Sequence, residues 1–213
     1  MLLSASASAQ FDGVRTTITR IDSNAVWNAP ADFMSVFHGT CDSLRGPAFQ
    51  DCFLNLMKEL GASAEAIRFT RLTDTTGYVR YFVNAGTIGV AYVFYPFRAN
   101  ENFGVTLVNG KPGMIDVDDF RWVDLTVLKK DPTYLKIVDS FPDAAVWPGD
   151  RFHFDRPKCE ALPNGGQRFI VQYLLKNGCH ACENVGSVDF AFDFDRQGNF
   201  IGTRLVRVVR TVR

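Results

Sequence analysis

The chain has 213 residues, of which 46% are hydrophobic and 22% are charged. This composition is typical of a globular protein with a hydrophobic core, and it excludes wholesale disorder. Lys plus Arg and Asp plus Glu number 23 each, so the formal net charge is zero, which argues against a general nucleic-acid or anionic-membrane partner. No apolar run approaches the ~20 residues that a membrane span requires, so we expect no membrane span.

The first nine residues have the composition of the end of an export signal. Ala7-Ser8-Ala9 follows the small-x-small pattern of a signal peptidase site, with cleavage before Gln10. A basic n-region and most of an apolar h-region are missing from residues 1–9. One interpretation is therefore the remnant of a signal peptide, which predicts a periplasmic or secreted protein; the alternative is a flexible tail.

The first third of the chain is predicted to be mainly helical, after a strand over 14–21. Pro30 favours the first turn of a short helix that reaches His38 and stops at Gly39. A second helix is predicted over 46–60 and a third over 64–72, with Ser63 as its N-cap. The apolar residues of the second helix recur at the spacing of one helical face. They are Phe49, Cys52, Phe53, Leu56, Met57 and Leu60.

From residue 77 the apolar period changes from helical to alternating, which predicts strands. A four-strand antiparallel meander is predicted over about 77–117, with Asn109-Gly110 as a tight primed turn in its last hairpin. Residues 120–130 fit either a helix or a strand, and Asp131-Pro132 begins another short helix. Residues 142–149 and 158–166 are predicted to be loops, because Pro and Gly are concentrated there.

A second antiparallel meander is predicted over about 167–210. Its middle strand alternates without a break, with Phe190, Phe192 and Phe194 on one face. The fold prediction is therefore α+β, with N-terminal helices packed against the two meanders. We expect one domain over 10–213, with a subdivision near 142–150 as the alternative.

Five cysteines leave an odd one in an exported protein, which usually pairs its thiols. Cys41 follows the first predicted helix and Cys52 lies on the second. A disulfide between them would fix the corner between these helices and contribute roughly 3 kcal/mol in the chain-entropy model. The alternative is that Cys52 is a buried free thiol.

The Cys179-His180-Ala181-Cys182 motif admits three interpretations. The first is a structural Cys179–Cys182 disulfide, which leaves Cys159 unpaired unless Cys159 doubles back to one of them. The second is a zinc site built from His153, Cys159 and the motif cysteines, in which His180 could replace His153. The third is a thiol–disulfide oxidoreductase, although no βαβ context precedes the motif.

No G-x-S-x-G, P-loop or H-E-x-x-H motif is present. Asp116, Asp118 and Asp119 form an acidic cluster that is typical of a helix N-cap. The aromatic run 92–97 fits a core strand or one wall of a hydrophobic groove. We therefore predict an exported, disulfide-stabilised, non-catalytic module that needs no cofactor and binds a small molecule or an envelope protein. The zinc-binding protein, with zinc as cofactor, and the oxidoreductase are the alternatives.

Overall fold

The computed structural model describes residues 20–74, 77–98, 102–149 and 157–211. Within these ranges the fold is α+β, with five α-helices and two antiparallel sheets of four and five strands. The predicted fold class is therefore confirmed. Most of the strand predicted over 14–21 lies outside the described residues, as does His153.

Three helices come first in the chain. They are α1 (Phe33–Thr40), α2 (Gly46–Glu59) and α3 (Ala64–Leu72). Ser63 caps α3 as predicted, because its Oγ accepts a hydrogen bond of 2.9 Å from the backbone of Ala66. The prediction that Gly39 stops α1 is wrong: the helix continues through Gly39, which has open space around it, and Cys41 is its C-cap.

The first sheet is a four-strand meander in sequence order. The connection between its third and fourth strands spans 109–113 and is not the predicted two-residue turn. Asn109 takes a positive φ of 72°, and its side chain is bonded to Ile21. It accepts from the Ile21 nitrogen at 2.7 Å and donates to the Ile21 oxygen at 2.8 Å. The strands are β1 (Tyr78–Asn84), β2 (Gly89–Phe94), β3 (Phe103–Val108) and β4 (Met114–Asp116).

The region between the sheets is helical where the sequence left helix and strand open. A 3-10 turn over Phe120–Trp122 precedes α4 (Leu125–Leu128) and α5 (Pro132–Ser140). Two segments predicted as loops are strands, β5 (Ala144–Pro148) and β6 (Lys158–Ala161). Both pair with the next long strand, one along each half of it, so their structure depends on that partner and not on local turn residues.

The second sheet is built on β7 (Gln167–Asn177), β8 (Asn184–Phe194) and β9 (Phe200–Arg210). Its order is β5-β7-β8-β9, with β6 also paired to β7. Phe190, Phe192 and Phe194 are almost completely buried, as the alternating pattern predicts. The opposite face carries ion pairs, including a bidentate contact from Arg168 to Asp193 at 2.6 and 2.7 Å.

Buried residues of both sheets form one hydrophobic cluster, to which α5 adds Ile137. The other face of the first sheet is covered by Phe69 of α3 and by Ile21 and Ala25. A third cluster joins α1 and α2 to Trp27 and to the start of β1. The first sheet is thus a middle layer, and the helices α1 and α2 extend past one of its ends.

Three connections meet at the other end of the sheets. The backbone nitrogen of Lys111 donates to Gly198 at 2.8 Å, and that of Phe200 donates back to Lys111 at 2.9 Å. A Cβ on Gly110 would lie 2.9 Å from the Gly198 carbonyl oxygen, so only glycine fits this approach. Gln167 of β7 also accepts a bond of 2.9 Å from the Ile88 nitrogen. The two sheets are therefore hydrogen-bonded to each other at this end.

Candidate functional site

The first cysteine pair lies within the helical layer. Cys41, at the C-terminal end of α1, is joined by a disulfide to Cys52 of α2, with their Cα atoms 5.8 Å apart. Cys41 is fully buried beside Phe37 and Phe53 in the cluster that α1 and α2 share. This bond fixes the angle between the two helices, which is the role expected for it from the sequence.

The second pair lies on the surface. Cys179 and Cys182 are joined by a disulfide within the connection between β7 and β8. The ring of His180 lies edge-on to Trp147, with centroids 5.6 Å apart, and Lys176 donates a hydrogen bond to the His180 carbonyl oxygen. Neither cysteine is at a helix N-terminus, so the helix field that lowers the thiol pKa in oxidoreductases is missing here.

Cys159 is not brought to the other described members of the predicted zinc set. Cys159 lies opposite Phe169 near the start of β7, whereas the Cys179–Cys182 loop follows the end of that strand at Asn177. Eight residues of strand separate these points by about 26 Å, so Cys159 cannot share an ion or a disulfide with the loop. His153 is outside the described residues. Within the described ranges, no group of three or more His, Cys, Asp or Glu side chains could hold a metal.

A pocket of about 250 Å³ opens where the residues before and at the start of α1 overhang the first sheet. Most of its lining side chains are apolar or aromatic. Tyr78, Phe94 and Phe103 form the sheet side, and Phe33 and Met34 form the helix side. The described lining is Ala29, Pro30, Ala31, Phe33, Met34, Tyr78, Arg80, Phe94 and Phe103.

The strand register assembles the aromatic wall. Tyr78 is opposite Phe94, which is opposite Phe103, so three neighbouring strands each place one ring at the same end of the sheet. The ring centroids are 5.6 Å apart for the first pair and 5.0 Å for the second. Trp27 supports the wall from behind, with its ring 4.7 Å from that of Tyr78. These separations are typical of favourable aromatic pairs.

Arg80 is the only charged side chain among the described lining residues. It lies at a bulge in β1, where the register shifts between Val79 and Tyr81, and it is exposed. It has no ion pair within the described part of the chain. Burial raises the pKa of Tyr78 to about 12, and the positive charge of Arg80 opposes this rise. The Tyr78 hydroxyl thus keeps its proton at neutral pH and can donate a hydrogen bond.

The acidic cluster has internal partners. Asp116 accepts a bond of 3.0 Å from the Asp118 nitrogen, and burial, together with the charge of Asp118, raises the pKa of Asp116 to about 6. Asp119 caps the 3-10 turn by accepting from the Arg121 nitrogen at 3.0 Å, which is the capping role that the sequence indicates.

Sequence reasoning found only one wall of the pocket. Of the aromatic run 92–97, Phe94 lines the pocket, Tyr92 lies in the core between the sheets, and Phe97 packs against Phe37 at a centroid distance of 4.6 Å. A signal for the rest was present, because an aromatic residue begins β1, ends β2 and begins β3. In an antiparallel meander these three positions meet at one end of the sheet.

None of the described helices is long and apolar enough to cross a membrane. The chain matches no protein-family model, and no curated protein and no solved structure is significantly similar to it.

Proposed function

We propose that the protein is an exported, disulfide-stabilised binding module without catalytic activity, and that it holds the apolar ring of a small ligand in the aromatic pocket. The observation that carries the proposal is the pocket itself. Four aromatic rings and a methionine surround a space that opens to solvent. Concave apolar sites with few polar groups are where proteins usually bind small molecules.

The volume limits the size of the ligand. Sites for drug-sized ligands occupy about 300–1,000 Å³, and this pocket is smaller at about 250 Å³. A ligand with a single ring and a short substituent fits this space.

The methyl group of Met34 provides a direct test. With methyl-¹³C methionine, adding phenylacetamide, a neutral single-ring compound, should shift the Met34 resonance. The resonance of Met57, which is fully buried and is not among the described lining residues, should move much less. A Met34 resonance that moves neither with phenylacetamide nor with its anionic counterpart phenylacetate at millimolar concentration would contradict the proposal.

Two phenylalanine variants make the test specific. Phe103 is half-buried and lines the pocket, so Phe103→Ala should weaken binding about 2- to 10-fold, as expected for the loss of one aromatic contact. Phe97 is 36% exposed and packs on α1 and α2 instead, so Phe97→Ala should leave the affinity unchanged. Equal losses in the two variants would show that the rings contribute only to stability.

Export is supported by the two disulfides and by the Ala7-Ser8-Ala9 pattern. Protein purified without reductant and then denatured should contain one reactive thiol, that of Cys159, out of five cysteines. Five reactive thiols would contradict an oxidising compartment.

We further infer that 10–213 is one domain, because the shared core and the bonds between the sheets join the two sides of residues 142–150. Far-UV circular dichroism and tryptophan fluorescence should then report a single, coincident unfolding transition. Two separate transitions would indicate two domains.

A further inference from the structure

The pocket combines apolar and aromatic walls with one positively charged side chain, Arg80, among its described lining residues. Arg80 has no carboxylate partner in the described part of the chain, unlike the arginines on the ion-paired face of the second sheet. Arg168 and Arg207, for example, contact Asp193 and Asp189 at 2.6 and 2.7 Å. Among the described lining residues, Arg80 is the one cation beside these aromatic walls, so its guanidinium is available to a ligand that enters the pocket.

A second donor accompanies this charge. Tyr78 lines the same pocket, and the charge of Arg80 acts on its hydroxyl. A guanidinium and a neutral hydroxyl both donate hydrogen bonds. Among the described lining residues no side chain carries a negative charge. The arrangement therefore favours a ligand head group that is anionic and accepts hydrogen bonds.

We propose that the ligand is a small aromatic carboxylate, whose ring lies against Phe94 and Phe103 while its carboxylate is held by Arg80 and the Tyr78 hydroxyl. This inference rests on the proposed binding function and names the chemical class that the pocket selects. Arginine suits the role because its planar donors match the two oxygens of a carboxylate.

The expected preference is moderate because Arg80 is exposed to solvent. Charge-assisted hydrogen bonds are stronger than neutral ones, but water and salt screen them at a surface. We expect phenylacetate to bind about 3- to 10-fold more tightly than phenylacetamide at low salt. The preference should shrink as the NaCl concentration rises, since the Debye length falls to about 3 Å at 1 M.

The test compares these two compounds, which have the same ring and nearly the same shape, by titration of the Met34 methyl resonance. In Arg80→Gln the ratio of the two affinities should fall to about one, and Arg80→Lys should restore part of the preference. Tyr78→Phe should reduce the affinity for phenylacetate more than for phenylacetamide. The matched control is Arg196→Gln, which removes an exposed cation from the β8–β9 turn and should leave the preference intact.

The outcomes separate the inference from the function that it rests on. If neither compound binds the wild-type protein, both proposals fall. If both bind with equal affinity, or if the preference for phenylacetate survives in Arg80→Gln, the carboxylate inference is overturned while the binding function stands. Loss of the preference in Arg80→Gln, with the Met57 resonance unchanged as evidence of an intact fold, supports it.

Discussion

Removal of the Cys41–Cys52 disulfide should destabilise the protein more than removal of the Cys179–Cys182 disulfide. The sequence separations are 11 and 3 residues. In the chain-entropy model, cross-links over these loops contribute about 2.8 and about 1.6 kcal/mol, because the longer loop restricts the unfolded chain more. Lost packing should add to this difference in stability. Cys41 is fully buried, so its replacement by alanine leaves a cavity, whereas Cys179 is exposed.

The assay is equilibrium unfolding in urea without reductant, with both double-alanine variants made in a Cys159→Ser background to prevent thiol exchange. The comparison uses the free energy of unfolding in water and not the midpoint, because loss of a cross-link also changes how far the unfolded chain expands. A Cys179→Ala, Cys182→Ala protein that loses as much stability as the Cys41→Ala, Cys52→Ala protein would refute this reasoning.

Two further predictions concern single residues. Asp116 has a folded-state pKa of about 6 against 3.8 for the free side chain, so stability should fall as pH rises from about 4 to about 6. Asp116→Asn should therefore raise the free energy of unfolding above pH 6 by up to about 3 kcal/mol and leave it unchanged below pH 4; a gain that does not depend on pH would contradict this origin. Gly166→Ala should destabilise by about 1–3 kcal/mol, because its Cβ would lie 2.2 Å from the Phe194 carbonyl oxygen. The control Gly39→Ala, in open space on α1, should stabilise by about 0.5–1 kcal/mol in the same thermal or urea unfolding series, and the reverse order would contradict the clash.

Elements with a strong internal period were predictable from the sequence. The helical spacing of apolar residues located α2, and the uninterrupted alternation located β8 and its buried face. Elements that depend on a partner distant in the sequence could not be predicted in this way. The strands β5 and β6 exist because β7 supplies the hydrogen bonds for both, and the Asn109 turn differs from a primed hairpin because its amide binds Ile21, 88 residues earlier.

In the candidate site, too, local features were predictable from the sequence and features built from distant segments were not. Both disulfides join cysteines that lie close in sequence, so local reasoning reached them. The prediction that Cys159 reaches the Cys179–Cys182 loop was wrong. Loop length alone could not show that the strand with Cys159 would pair near the start of β7. The pocket was missed because its walls come from three strands and the residues around the start of α1, and only the register brings these together.

The bonds between Lys111 and the β8–β9 turn change where the protein can tolerate variation. Hairpin tips are usually the places that accept substitutions and insertions. Here the 195–199 turn has Gly198 buried and bonded to another connection, so an inserted residue or a tag at this turn should separate the two sheets. The Cys179–Cys182 loop at the opposite end of β8 is largely exposed, and it is the better site for a label or a fusion. The Cys179-His180-Ala181-Cys182 motif stands out in the sequence, yet its loop is the one that should tolerate change. The Asp-Arg-Gln-Gly-Asn turn over 195–199 looks ordinary in the sequence, but it is the constrained connection.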